Sequence, residues 1–221
     1  YMGDIELSTT FTTATIGGSN AVVMGFPAAT VSQGYIMTHG IAPNGGGSYV
    51  NQFTLIMDIM FPTESSGKWR GLLQTSTANA DDGDLFVNTA NGIGIRGYYS
   101  GSILADTWHR VAFVFDLTLP SARLRKYIDG LEVGAQNLDG LDVRWSLDPT
   151  ALLFTDNDGE TAAGFVNSIQ IRDEPLTASD IFALGKATAA GIPLTIPVLT
   201  NIVVSVSPTN QAATAQMAAT C

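Results

Sequence analysis

Cysteine and histidine are nearly missing from this chain, with one Cys and two His in 221 residues. A single thiol, Cys221, forms no disulfide framework and assigns no redox compartment. His39 and His109 are the only imidazoles, so few general bases are available. Basic residues are scarce as well: 10 Lys and Arg against 20 Asp and Glu give a formal charge of −10. That balance works against binding a polyanion, so neither nucleic acid nor anionic lipid is expected as a partner. No run of about 18 uninterrupted apolar residues occurs, and no membrane insertion is expected. The opening at Tyr1 shows no basic segment followed by an apolar stretch, which suggests a processed or trimmed chain. A Gly-x-Ser-x-Gly elbow is absent, and the Gly45-Gly46-Gly47 triplet lacks the Lys-Ser/Thr of a phosphate cradle.

What the chain does contain is 45% hydrophobic residues, 23 Gly and 9 Pro. Such a composition can bury one sizeable core and suits many short strands joined by turns. In Phe53 to Phe61 the odd positions Phe53, Leu55, Met57, Ile59 and Phe61 share a face, opposite Thr54 and Asp58. Alternation of this kind is that of a half-buried strand. Val111, Phe113 and Phe115 repeat it, with Arg110 and Asp116 opposite, and so do Ile169 and Ile171. These apolar faces are expected to meet between two sheets. One segment reads as a helix: Thr177 caps it, Asp180 closes a short-armed capping box, Ile181 and Leu184 form its apolar stripe and Gly185 stops it. The predicted fold is all-β, a two-sheet antiparallel jelly-roll sandwich with one short helix near the C-terminal end of the domain.

The most specific stretch is Trp108-His109-Arg110-Val111-Ala112, continuing to Asp116, followed after a polar turn by Tyr127-Ile128-Asp129-Gly130. Two β-runs closed by an Asp-Gly turn form an antiparallel hairpin. Its wording resembles the core of laminin G-like, concanavalin A-like lectin domains. The strand from Phe53 to Pro62, the segments from Gly71 to Gly97, the run Ala151 to Glu160 and the closing stretch Phe165 to Gly185 follow in the family's order. The resemblance implies a domain that binds glycans or proteins and seldom catalyses, often with Ca²⁺ at a loop edge. It also implies a structural place for His109. The Glu-x-Asp-x-x-Glu run of jelly-roll glucanases is absent, Asp4-Ile5-Glu6 being the nearest approach.

Two groups of residues are candidate sites. Asp81, Asp82 and Asp84, together with Asp156, Asp158 and Glu160, hold six of the 20 carboxylates on Gly-bearing loops. Oxygen-only ligand sets select Ca²⁺, and a structural calcium is expected there, although neither loop has EF-hand spacing. The plain alternative is a pair of solvated turns, Asp and Gly being ordinary turn formers. The second group is His39, Asn44 and Tyr49 on the Gly-rich loop, with Tyr98, Tyr99 and Trp145 as further exposed aromatics that would stack on sugar rings.

Residues 1–191 are read as the jelly-roll domain and 192–221 as a Pro-containing linker, a terminal strand over Asn201 to Pro208 and a small-residue tail. The leading function is a non-catalytic glycan-binding or adhesion module of a larger secreted or cell-surface protein, its partner a glycan or an extracellular protein. The alternative is a structural subunit of a filament or surface array, self-associating by β-strand addition of its C-terminal segment.

Overall fold

The computed structural model describes residues 10–31, 33–78, 84–197, 202–205 and 214–217, the last two stretches as backbone only. Two antiparallel sheets stack face to face. The first holds seven strands in the order β1 (Thr10–Ile16), β2 (Ser19–Phe26), β13 (Gly164–Arg172), β4 (Gln52–Met60), β9 (His109–Asp116), β10 (Leu124–Ile128) and β11 (Leu131–Gln136). The second holds six in the order β3 (Tyr35–Thr38), β12 (Thr150–Leu153), β5 (Arg70–Gln74), β6 (Leu85–Val87), β7 (Ile93–Ile95) and β8 (Tyr98–Ser100). The predicted sandwich is therefore what the chain forms, and the Asp129-Gly130 turn joins β10 to β11.

Period-two alternation places the core where it was expected. Phe53, Leu55 and Ile59 from β4 and Val111, Phe113 and Phe115 from β9 are all fully buried in one cluster between the sheets. Phe53 pairs across the strands with Phe115, their rings stacked 4.4 Å apart, and Leu55 pairs with Phe113. Such facing pairs are the unit of sheet stabilisation.

The opposite face of β4 and β9 departs from expectation. Thr54, Asp58 and Arg110, read as a polar outer face, are buried as well. The cause is α1 (Ala178–Leu184), whose capping box forms as predicted and which lays Ile181 and Leu184 on Ile56, Ala112, Val114 and Tyr127. Beneath it Arg110 grips Asp58 with two bonds, Nε to Oδ1 at 2.7 Å and Nη2 to Oδ2 at 2.8 Å. Its remaining donors take the carbonyls of Leu184 and Gly191. One guanidinium thus satisfies a buried carboxylate and the helix's C-terminal end together.

Packing continues past Gly191. Ile192 is buried in the same cluster, Ile196 leans on it, and the Gln170 amide donates to the carbonyls of Ile192 and Pro193. Further on, β14 (Ile202–Ser205) pairs antiparallel with β15 (Thr214–Met217) in a separate two-stranded sheet. From the sequence this strand is expected at a sheet edge of the sandwich, at that of another molecule, or as the start of a following immunoglobulin-like domain; it pairs within the C-terminal tail. Among the described residues no helix is long and apolar enough to cross a membrane.

Candidate functional site

A groove of about 440 Å³ opens over the β5–β8 end of the six-stranded sheet. Local backbone rules assemble it. Phe154 leaves β12 with a left-handed φ of 58° and stacks on Phe26, ring centres 4.0 Å apart, where the chain passes from the strand into the acidic loop. The Asp156 carboxylate then accepts from the backbone N–H groups of Asp158 and Glu160, tightening the loop. Gly71 is what lets this loop lie against β5: its N–H donates to the Glu160 carbonyl at 2.8 Å, and a Cβ there would meet the Thr155 carbonyl at 2.6 Å. Asp158 and Glu160 consequently line the groove together with Trp69, just ahead of β5.

Trp69 is half-buried, edge-on to Phe86 at 5.7 Å and to Tyr99 at 5.4 Å. Ile95, Arg96 and Gly97 add the β7–β8 turn, and Arg144 closes the rim. Arg144 Nε is held 2.9 Å from Asp84 Oδ1, while Asp84 Oδ2 accepts from the Thr75 N–H and hydroxyl. Burial pushes the Asp84 carboxyl above its ordinary range, against the pull of Thr75 and Arg144. The groove thus brings aromatic rings, guanidinium groups and carboxylates together in one concavity.

The residues singled out in the sequence separate into distinct places. Asp156, Asp158 and Glu160 come together, one oxygen of each within 4.8 Å of the others, a set of hard oxygens that could hold a metal ion. Asp84 belongs to the Arg144 pair instead, and Asp81 and Asp82 lie outside the described residues. Tyr99 lines the groove, and Tyr98 points to solvent at 66% exposure. Trp145, expected to be exposed, is fully buried: its ring lies 5.0 Å from the Arg96 guanidinium and 4.9 Å from that of Arg144, and Nε1 donates to Asp139. It acts as a floor under the two arginines.

The Gly-rich loop holds itself in place. Ile41 N–H donates to His39 Nδ1, so Nε2 carries the proton and donates to the Asp148 carbonyl at 2.6 Å. Asn44 accepts from the N–H groups of Asn51 and Gln52 and donates to the carbonyls of Gln52 and Asp173. Tyr49 remains exposed on that loop, and none of the three lines the groove. His109 is equally engaged: Nε2 accepts from Leu104 N–H, so Nδ1 donates to Asp129 at 2.9 Å. Burial alone would raise the Asp129 carboxyl, but the His109 bond and the Arg110 N–H overcome it and hold the group below its ordinary range. Sequence reasoning missed Trp69, Arg96 and Arg144. The signal available for Arg96 was the Arg-Gly pair between two short β-runs.

Two stacked antiparallel sheets with a concave groove on one of them define a lectin-type β-sandwich. A family model described as the concanavalin A-like lectin/glucanases superfamily matches residues 42–182, more than half of the chain, and the chain belongs to that superfamily. No curated protein sequence matches it significantly. Among solved structures it is similar to the Trypanosoma rangeli sialidase, at 15% identity over 74% of this chain and 25% of that one, TM-score 0.47. It is also similar to the botulinum neurotoxin serotype D binding domain, at 13% identity over 79% of this chain and 50% of that one, TM-score 0.49. The binding domain of Paraclostridial Mosquitocidal Protein 1 stands at 13% identity, 78% and 44% coverage and a TM-score of 0.49. The chain spans a quarter to a half of the length of these proteins.

Proposed function

We propose that the domain is a non-catalytic glycan-binding module of a secreted or cell-surface protein, taking its saccharide in the groove at Trp69. The observation that carries this reading is the convergence of the half-buried Trp69 ring, Tyr99, two arginines and the Asp158 and Glu160 carboxylates on one cavity. An aromatic face packs on the C–H groups of a pyranose, and charged side chains pair with its hydroxyls. Ca²⁺ at Asp156, Asp158 and Glu160 would fix the loop that forms one wall. The absence of catalysis draws support from the two histidines, whose ring nitrogens are all engaged in holding the fold. Assembly by strand addition draws less support, because β14 finds its partner in β15 of the same chain.

A glycan array probed with the wild-type domain and with Trp69→Ala tests the reading. Discrete saccharide hits that disappear in Trp69→Ala, probed well below that variant's own melting temperature so that it is folded, support it. Hits that persist in the variant, or no hits with the wild type in calcium, overturn it. Release of reducing ends from an oligosaccharide incubated with the wild type would overturn the non-catalytic part alone.

A further inference from the structure

Arg96 stands where an arginine is unfavourable. The hairpin β7–β8 closes through Arg96-Gly97, flanked by the Ile95–Tyr98 pair, and both turn residues have positive φ, 52° and 82°. Two-residue hairpin turns of this hand favour Asn-Gly, because the Cβ of a left-handed residue crowds the next carbonyl and only the short amide of Asn offsets this with a local hydrogen bond. Strain of this kind collects where side chains meet ligands. The Arg96 side chain rests over the Trp145 ring and lines the groove. Its Nη1 donates to Asp139 at 3.3 Å, a pair in which both groups are about half exposed (50% and 55%). Its other N–H groups have no hydrogen-bond partner among the described residues. A guanidinium seated over a fully buried ring, with open donors, matches the two oxygens of a carboxylate.

We propose that the groove selects a sugar bearing a single carboxylate, a uronic or a sialic acid residue, whose carboxylate is received by Arg96 beside Arg144. The inference rests on the glycan-binding reading and deepens it. Trp69 takes the ring face, and Asp158 and Glu160 accept from hydroxyls on the carboxylate-free side of the ligand. The chain's charge of −10 disfavours a polyanion, so recognition is confined to one isolated carboxylate on a short oligosaccharide.

Calorimetric titration of the full chain in calcium uses four probes: the aldotriouronic acid that carries one glucuronate on xylobiose, xylobiose itself, sialyllactose and lactose. At least one acidic probe is expected to bind tenfold or more tightly than its neutral partner, and which pair shows the difference separates uronate from sialoside. Arg96→Gln is expected to bring the acidic probe to the level of the neutral one. Arg96→Lys restores part of the difference, since an ammonium makes no paired contact. Arg96→Asn suits the turn and is expected to melt at the same or a higher temperature while losing the preference. Equal binding of acidic and neutral probes by the wild type, or no binding of any probe, overturns carboxylate selection; glycan binding itself falls only if the glycan array also gives no hits. A lower melting temperature in Arg96→Asn overturns the argument that the arginine is kept for its ligand.

Discussion

The outer face of β4 and β9 and the groove over β5–β8 use the same residue types to opposite ends. Under α1, Arg110 is 3% exposed and every donor group on it faces a fixed acceptor within the protein. In the groove, Arg96 is half exposed and held by a ring and one long ion pair. Burial with full hydrogen bonding makes a charged group a clamp, whereas partial burial over a packed ring leaves donors open to solvent or a ligand.

Breaking the clamp gives the largest expected effect. Arg110→Met leaves the Asp58 charge buried with Ser168 as its remaining side-chain partner, and should lower unfolding free energy by about 3–5 kcal/mol in urea titrations. Adding Asp58→Leu should recover most of that loss. A loss confined to a few tenths would mean the pair is not the clamp described. Saccharide affinity of the folded fraction should stay unchanged, since this face does not line the groove.

On the groove side, the calcium proposed at Asp156, Asp158 and Glu160 would give the next effect. A cation bound only by the folded state stabilises it by about 2.7 kcal/mol at a hundredfold excess over its Kd. Thermal melts in millimolar calcium should therefore exceed those in chelator, and Asp156→Asn should erase the gap. Smaller still is the helix cap: Thr177→Ala should cost about 1 kcal/mol, read from the same melts, with no change in groove binding.

A pH scan sharpens the comparison from inside the sandwich. Lys126 is buried beneath the groove hairpin, donating to the Tyr98 carbonyl at 2.5 Å, and burial lowers its pKa from 10.5 to about 8. Between those values the unfolded chain keeps a proton that the folded chain has released. Stability should accordingly rise with pH across that window, and Lys126→Met should flatten the rise. A slope in Lys126→Met equal to that of the wild type would assign it to another group.

The sandwich was legible because alternation is a local signal. Phe53, Leu55, Val111 and Phe113 announce their shared core face from spacing alone, and Thr177 with Asp180 announces the cap. Arg110 and Asp58 were misread because alternation reports polarity and not what covers it; only the return of α1 over the sheet buries them. The groove was half legible. Tyr99, Asp158 and Glu160 stood out by residue type, but Trp69, Arg96 and Arg144 join them only through the strand order β5-β6-β7-β8 and the close approach at Gly71. His39 and Asn44 looked like a site because polar groups on a Gly-rich loop are ambiguous until their hydrogen bonds are traced.

Whether the saccharide sits against Trp69 is read directly from backbone and indole NMR resonances followed during titration with an array-identified oligosaccharide. Binding in the groove predicts that the Trp69 indole and the amides of Arg96, Gly97 and Tyr99 shift together, while the Trp108 indole, packed at Ile16 and Val23, stays still. Shifts gathered instead on the loop from His39 to Tyr49, with Trp69 unmoved, would contradict the account.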